Sequence, residues 1–403
     1  MKENFHRLRR FLAKLWLEIN LQSTVVGVTG SYGKTSTVRA IAEILSAKYS
    51  VNRTDLNLDT IYNLPITLLK TKIWNEILVL EYGVDHRQEM DFHLSLVKPK
   101  IAVLTGITPV HSDEEHLGSL ENLIAEKRKL VEAIPTDGVA IFNYDDEAVK
   151  KVGEEFKGRK VFYGLKKGAD VWAEKVRLSL QGTEFELQDG KVKTLVRTPL
   201  LGYPAVYTSL VAYVVGKELG LEKEKILSRL ASLKPLPGRL SSEPGPRGTI
   251  LVNDARRANP ASTIAGLKSL AELPGRKVAV LGEMGELGAY SEKMHRLVGE
   301  EAAKLKLDVV VGVGPLTKFI VEEAQKMGMK KSQLFWAKDV KEAAEILKMN
   351  LQEGDLLYLK ASLLRHLERV LLLLRGEEVC CTEIVCHHYR SCSTCSRLKE
   401  CVK

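Results

Sequence analysis

Thr24-Val25-Val26-Gly27-Val28-Thr29-Gly30-Ser31-Tyr32-Gly33-Lys34-Thr35-Ser36 is the stretch from which the rest of the chain can be read. Residues 24–30 form a short β-rich run, glycines punctuate the next few positions, and a helical pattern runs from Thr35 to Leu45. Strand, glycine loop and helix in that order can aim several backbone N–H groups at phosphate oxygens, and the positive end of the helix adds to their pull. Lys34 then reaches the β- and γ-phosphates of a nucleotide, and the Thr35 hydroxyl binds Mg²⁺. The expected ATP contact is therefore Gly30, Ser31, Tyr32, Gly33, Lys34, Thr35 and Ser36. The match to the standard phosphate loop is incomplete: that pattern has a glycine five residues before Gly33, where Val28 stands. The plainer alternative is a chance glycine turn.

Outward from this loop, Ile77–Leu80, Ile101–Thr105 and Val139–Asn143 are further apolar strand candidates, most of them separated by helical stretches. That alternation predicts an α/β fold with a mainly parallel sheet covered on both faces. Residues 160–195 alternate with period two, as in Val176-Arg177-Leu178-Ser179-Leu180, and predict antiparallel hairpins added to the sheet. The cluster Lys234-Pro235-Leu236-Pro237-Gly238 marks a boundary. A second strand–helix alternation follows, with strands at Ile250–Asn253, Val278–Leu281, Val309–Val313 and Leu356–Leu359, and predicts a Rossmann-like domain. Ahead of the first strand, residues 5–21 read as a basic amphipathic helix, with Leu8, Phe11, Leu12, Leu15 and Ile19 on one stripe and Arg7, Arg9, Arg10 and Lys14 adding charge. This helix either packs on the next domain or lies on a membrane surface. The expected organisation is a helix over 1–23, a central ATP-binding domain over 24–236, a Rossmann-like domain over 237–375 and a Cys/His-rich tail over 376–403.

With 403 residues the chain is too long for one ordinary core. Aromatic residues at 6% argue against broad stacking platforms for single-stranded nucleic acid, and no nucleic-acid partner is expected. The net charge of +9 suits an anionic substrate, nucleic acid or an acidic membrane face, and equally an ordinary lysine-rich surface. No apolar run is long enough to span a bilayer. The basic N-terminus is interrupted by Lys14 and Glu18, with no small-residue cleavage site after it, so a cytoplasmic protein is expected.

Ten landmarks in order carry a resemblance. They begin with Val28–Ser36, Leu64-Pro65-Ile66-Thr67-Leu68-Leu69, Leu80-Glu81-Tyr82-Gly83-Val84-Asp85-His86 and Gly106-Ile107-Thr108-Pro109-Val110-His111. Asn143-Tyr144-Asp145-Asp146, Pro237-Gly238-Arg239-Leu240 and Asn253-Asp254 with Ala258-Asn259-Pro260 follow. The last are Val280 through Gly288 and Gly354-Asp355 through Lys360-Ala361-Ser362. In these the chain resembles the Mur ligase family, and within it the branch that adds D-alanyl-D-alanine to the muramoyl tripeptide; the short loop G-x-x-G-K-T is that family's variant. The resemblance implies an ATP-dependent amide-bond-forming ligase that works through an acyl phosphate, in peptidoglycan precursor or related cell-wall peptide synthesis. Its partner would be a small peptide or nucleotide-sugar peptide. It implies Lys34, Glu81, His111 and Lys127 as catalytic residues. Thr35, Glu81 and His111 would hold Mg²⁺, and Lys127 would be carbamylated, with Lys129 as a rival because the stretch is one residue short. Asn143, Arg239 and Asp254 would contact ATP, and Arg256, Arg257, Asn259, Lys360 and Ser362 the substrate. Read without the resemblance, His111 is a loop histidine and the Lys127 run a solvated helix face.

Three departures from the family stand out. The residues before the first strand leave no room for its uridine-nucleotide-binding domain. Tyr203-Pro204-Ala205-Val206-Tyr207 stands where the family has asparagines that help hold ATP. Asp254-Ala255-Arg256-Arg257 and Lys360-Ala361-Ser362-Leu363 differ from the family where the incoming dipeptide is read. A related ligase with another acid and amine, or a nucleotide-binding regulator with a degenerate site, are the competing readings. All six cysteines fall in the final 24 residues. The Cys392-x-x-Cys395 pair, completed by Cys386 and Cys401, predicts a zinc site, with an iron–sulfur cluster or a plain thiol-rich tail as alternatives and a partner at the tail as a further role. A reducing cytoplasm argues against disulfides there.

Overall fold

The computed structural model describes residues 2–19, 23–54, 60–388 and 391–399. The chain divides into two compact units, with the main break between Leu233 and Lys234. Among the described residues, the strands of the first unit are β1 (Thr24–Thr29), β2 (Val51–Arg53), β3 (Ile77–Glu81), β4 (Ile101–Leu104), β5 (Val139–Asn143), β6 (Lys160–Gly164), β7 (Val171–Ser179), β8 (Gly182–Asp189) and β9 (Val192–Thr198). Its helices are α1 (Lys2–Ile19), α2 (Lys34–Leu45), α3 (Thr60–Leu69), α4 (Glu89–Leu96), α5 (Leu120–Glu132), α6 (Glu147–Glu155), α7 (Tyr203–Glu218) and α8 (Lys223–Ala231).

The strands lie in the order β2-β3-β1-β4-β5-β6-β7-β8-β9. Strands β2 to β7 pair in parallel, and β8 pairs antiparallel with β9, so the period-two segment does extend the sheet as a hairpin. The central strands are apolar throughout because helices cover both faces: Val26, Val28, Leu78, Leu80, Val103 and Ile141 are fully buried. Each contributes roughly 1.5–3 kcal/mol of burial. Parallel pairing brings the carboxyl ends of β1, β3, β4 and β5 to one edge, and the loops that leave them carry the residues discussed below.

Helix α1 packs on its neighbours, one of its two expected placements, but the leucine–phenylalanine stripe is not the contact face: Phe11, Leu12 and Leu15 are exposed at 65%, 42% and 45%. The helix docks on α3 and α4 through another face. Ala13 is fully buried beside Leu64 and Leu68, Leu17 packs on the same core, Trp16 Nε1 donates to the Thr71 carbonyl (2.8 Å) and Arg10 stacks on Phe92. The small Ala13 lets the backbones approach; a bulkier stripe would hold the helix off. The side chains of Arg7, Leu8 and Ile19 lie outside the described residues.

The second unit holds β10 (Ser241–Pro244), β11 (Ile250–Asp254), β12 (Lys277–Gly282), β13 (Val309–Val313), β14 (Leu334–Ala337) and β15 (Leu356–Lys360). Its helices are α9 (Pro260–Glu272), α10 (Ser291–Lys304), α11 (Lys318–Lys326), α12 (Val340–Asn350) and α13 (Glu368–Leu374). The sheet order is β10-β11-β15-β12-β13-β14, parallel except for the antiparallel edge strand β10. The edge strands β10 and β14 went unread in the sequence: each has four residues, and β10 is polar and ends in proline. No helix among the described residues is long and apolar enough to cross a membrane.

Candidate active site

The phosphate loop turns as its glycines require. Gly30 has φ 147° and Gly33 φ 78°, and a Cβ on Gly30 would lie 2.1 Å from Thr105 Oγ1, so no other residue fits there. The segment that leaves β4 holds the loop. Ser31 N donates to the Gly106 carbonyl (2.7 Å) and Thr105 Oγ1 to the Tyr32 carbonyl (2.5 Å). Lys34 Nζ folds back on the Gly30 carbonyl (2.8 Å), over the cradle it would leave to meet a phosphate. Thr35 Oγ1 donates to Glu81 Oε2 (2.9 Å), joining the first turn of α2 to the end of β3.

Beyond Glu81 the chain turns through Asp85, whose Oδ1 lies 3.3 Å from His111 Nε2. His111 sits at φ 60°, in the left-handed region. It belongs to a histidine group, with His116 5.2 Å from both His111 and His86 between ring centres, and His116 Nδ1 against Asp113 (2.5 Å). Lys127 enters from α5 fully buried. Burial lowers its pKa to about 7, the Lys34 charge pushes the same way, and Asp85, Glu81 and Glu126 oppose both. Lys127 is therefore within electrostatic reach of Lys34, Glu81 and Asp85. Lys129 is the opposite case: its ammonium pairs with Asp91 (2.6 Å) and Glu126 (2.7 Å). Its partial burial would lower the pKa, but those two bonds leave it raised.

Asn143 is buried at the end of β5 and donates from Nδ2 to the Thr105 carbonyl (2.9 Å), bracing the segment after β4 that contacts the loop. Next to it lie residues that were quoted above within motifs but given no role. Asp146 accepts from the Tyr32 hydroxyl (2.7 Å) and from Ile107 N (2.9 Å), and so ties the phosphate loop to the next loop of the sheet. Tyr207 donates to Asp145 Oδ2 (2.9 Å).

In the second unit, Asp254 ends β11 and meets Lys360 Nζ at 2.5 Å and the Tyr358 hydroxyl at 3.2 Å. Burial raises the carboxyl and lowers the amine, each against the other's attraction, and the Arg239 charge bears on both. Arg256 holds its Nε buried with no hydrogen-bond partner, while Arg257 is exposed. Asn259 caps α9: its Oδ1 accepts from Ser262 N (2.8 Å). Ser362 Oγ accepts from Gly285 N (2.9 Å) and donates to the Ala258 carbonyl (3.3 Å). Glu283, paired with Arg365 (3.1 Å), was quoted within a motif but given no role.

The tail differs from expectation. Cys401 lies outside the described residues. Cys380 is disulfide-bonded, against the expectation of reduced thiols throughout. Of the expected ligands Cys386, Cys392 and Cys395, only Cys392 joins a set of donors within 4.8 Å of one another, and its companions are His366 and Glu368. The tail folds back on α13 instead of closing a site on itself, and two of the three donors precede the tail in sequence.

Two family profiles match this chain: the Mur ligase middle domain over residues 28–216 and the Mur ligase glutamate ligase domain over residues 238–363. The chain is 33% identical to the UDP-N-acetylmuramoyl-tripeptide–D-alanyl-D-alanine ligase of Escherichia coli over 74% of its own length and 66% of the relative's. It is 32% identical to the Bacillus subtilis protein of the same name, over 89% of this chain and 77% of the relative. Among solved structures, MurF from Acinetobacter baumannii superposes with a TM-score of 0.83 at 27% identity, covering 92% of this chain and 81% of the other. MurF from Thermotoga maritima, in complex with ADP, gives 0.80 at 26% identity, with 92% and 84% covered. The phosphate loop, the Thr35–Glu81 bond and these matches lead to one conclusion: the chain belongs to the Mur ligase family, the ATP-dependent ligases that form amide bonds.

Proposed function

We propose that this chain activates a carboxylate as its acyl phosphate at the expense of ATP and joins it to an amine, and that the pair is UDP-N-acetylmuramoyl-tripeptide and D-alanyl-D-alanine. The observation that carries this reading is the meeting of Lys34, Thr35, Glu81 and Lys127 where β1 and β3 end and α5 packs against them. An anionic carboxylate attacking a polyanionic triphosphate must be shielded from repulsion, and fixed charges in a site of low dielectric are the means. The loop N–H groups and Lys34 bind and orient the phosphates. The Thr35 hydroxyl, the Glu81 carboxylate and the Asp85 carboxylate beside His111 are mainly hard oxygen donors, as Mg²⁺ prefers. Magnesium bound there supplies charge neutralisation to the triphosphate. Lys127, as the carbamate of its neutral amine, adds a carboxylate to the group. Asn143 and Asp146 keep the loop in place.

Within the second unit, Arg239 and Asp254 are the residues offered to a nucleotide, with Lys360 held by Asp254. The incoming amine has its own reader. D-alanyl-D-alanine ends in a carboxylate, and the Arg256 Nε that is buried without a partner is the kind of donor a carboxylate satisfies. Arg257 and Ser362 lie close by in sequence or on the adjoining loop. Nothing in this reaction uses the Cys-rich tail.

The test is phosphate release from ATP and Mg²⁺ with the tripeptide nucleotide and D-alanyl-D-alanine supplied singly and together. Release is expected only with both, accompanied by the mass of the joined product. No release, with ATP still bound by calorimetry, would replace the ligase by a nucleotide-binding protein; release with a different amine would move the substrate assignment alone.

Helix α1 supports a second contact, with an anionic membrane surface. Phe11, Leu12 and Leu15 are exposed, and the Trp16–Thr71 bond sets them beside the turn that exposes Ile73 (68%) and Trp74 (62%), with Lys14, Lys70 and Lys72 around them. Apolar side chains fringed by lysine suit the headgroup boundary of acidic lipid. The chain should sediment with vesicles containing anionic lipid and lose most of that binding on Phe11→Ser with Trp74→Ser; equal sedimentation of the double variant ends the idea.

A further inference from the structure

The tail cysteines and the start of α13 converge around a histidine that has a chemical function still to be assigned. His366 is 2% exposed and sits at φ 45°, a left-handed conformation that non-glycine residues rarely adopt without cause. Its Nδ1 lies 3.1 Å from Glu368 Oε1, and its Nε2 is buried with no hydrogen-bond partner. With the Nδ1 proton directed at the carboxylate, Nε2 keeps its lone pair and points it into the protein. A carboxylate behind a histidine in this way is the usual support of a metal ligand. The Cys392 thiol completes a group whose donor atoms all lie within 4.8 Å of one another, and its main chain is fixed by the same carboxylate, Cys392 N donating to Glu368 Oε1 (3.3 Å).

Two more free thiols belong to the same tail, outside that group of donors. Cys395 follows Cys392 at the two-residue spacing of a metal knuckle, in a turn closed by the bond from Cys395 N to the Cys392 carbonyl (3.0 Å). Cys381 is held by Arg369, a fully buried arginine whose Nη1 donates to the Cys381 carbonyl (3.0 Å) and reaches its Sγ (3.1 Å), while Nη2 donates to the Glu383 carbonyl. Cys381, Cys392 and Cys395 are all free thiols.

We propose that His366 Nε2 and the Cys392 thiolate, the pair that Glu368 supports, are the first two ligands of a site for a thiophilic divalent cation, zinc, which Cys395 and Cys381 complete when the metal staples the tail to the rest of the second unit. One imidazole and three thiolates match the closed coordination of structural zinc. Three S–H protons leave as three S–Zn bonds form, and Arg369 offsets the single negative charge of the product. The metal must displace the protons of the thiols it binds, so affinity rises with pH. The ligands differ from those the tail alone suggests: Cys386 is not among them, and a residue ahead of the tail is.

The experiment is metal analysis of the full chain, purified without chelator, followed by competition with a chromophoric chelator and by cobalt substitution. About one zinc per chain is expected, with the strong visible bands of tetrahedral cobalt and thiolate charge-transfer absorption. His366→Ala should lose the metal, Glu368→Gln should bind about 10- to 100-fold more weakly, and Cys386→Ser should keep it. ATP binding by each variant checks that the protein is folded. No zinc after reconstitution with excess metal, iron with labile sulfide in its place, or zinc held as tightly by His366→Ala would each overturn the site. None of these readouts depends on ligase turnover, so the centre and the proposed reaction stand or fall separately.

Discussion

Lys34→Ala will leave a folded protein that has lost its ATP turnover. Two effects combine. The ammonium is the one flexible cation attached to the phosphate loop, and removing a fixed charge aimed at a developing anionic transition state costs about 10²- to 10³-fold in rate. The structural cost is small by comparison. Lys34 is only half-buried, and the bond to the Gly30 carbonyl that it gives up is worth about 1 kcal/mol. Part of that is returned, because Lys34 also repels Lys127 and pulls its pKa down. The variant should therefore melt close to the parent, and its Lys127 should titrate higher. Phosphate release with both substrates and a thermal melt check this pair of results. Unchanged turnover would show that the loop from Gly30 to Ser36 does not hold the reacting phosphates.

The loop was legible because its requirements are local. Gly30 and Gly33 must be glycine, Lys34 and Thr35 must open the helix, and all four sit within six consecutive residues. The parallel strands were equally legible, since strands buried on both faces read as unbroken apolar runs; β13 was read to the residue. What could not be read is what depends on residues far apart in sequence. The Asp146–Tyr32 bond spans 114 positions and Tyr207–Asp145 spans 62. Neither acceptor differs in sequence from any surface aspartate. The exposed stripe of α1 misled for a related reason. Periodicity counts apolar side chains, while docking selected the face where Ala13 permits close approach. In the tail, six cysteines within 24 residues pointed to one another, and only the fold reveals that His366 and Glu368, at the start of α13, lie nearest to Cys392.

Lys127 is where stability and activity should part. A lysine of ordinary pKa is almost wholly protonated at neutral pH, whereas one at about 7 is half neutral there. The neutral amine is the form that adds to carbon dioxide: R–NH₂ and CO₂ give R–NHCOO⁻ and a proton. The product replaces a buried cation that repels Lys34 with an anion that attracts it. Three results follow. Turnover by the wild type should fall when carbon dioxide and bicarbonate are stripped and return when bicarbonate is restored. At fixed carbon dioxide, turnover should rise as pH passes upward through about 7, because the neutral fraction rises, and then level off. Lys127→Met should lose about 10²- to 10³-fold in turnover, as for other groups that set the charge of a site. The variant's stability moves opposite to its activity. The unfolded chain protonates this amine up to its ordinary 10.5 and the folded one only up to about 7, so between those values the unfolded state binds more protons and stability rises with pH. Below about pH 7 the native state carries the buried charge, a burden on the order of 5 kcal/mol for a shift of this size. Lys127→Met discards that charge and nearly keeps the volume, so at pH 6 it should melt above the wild type while being inactive. A variant that melts lower at pH 6, or wild-type turnover indifferent to bicarbonate, would return Lys127 to a purely structural role.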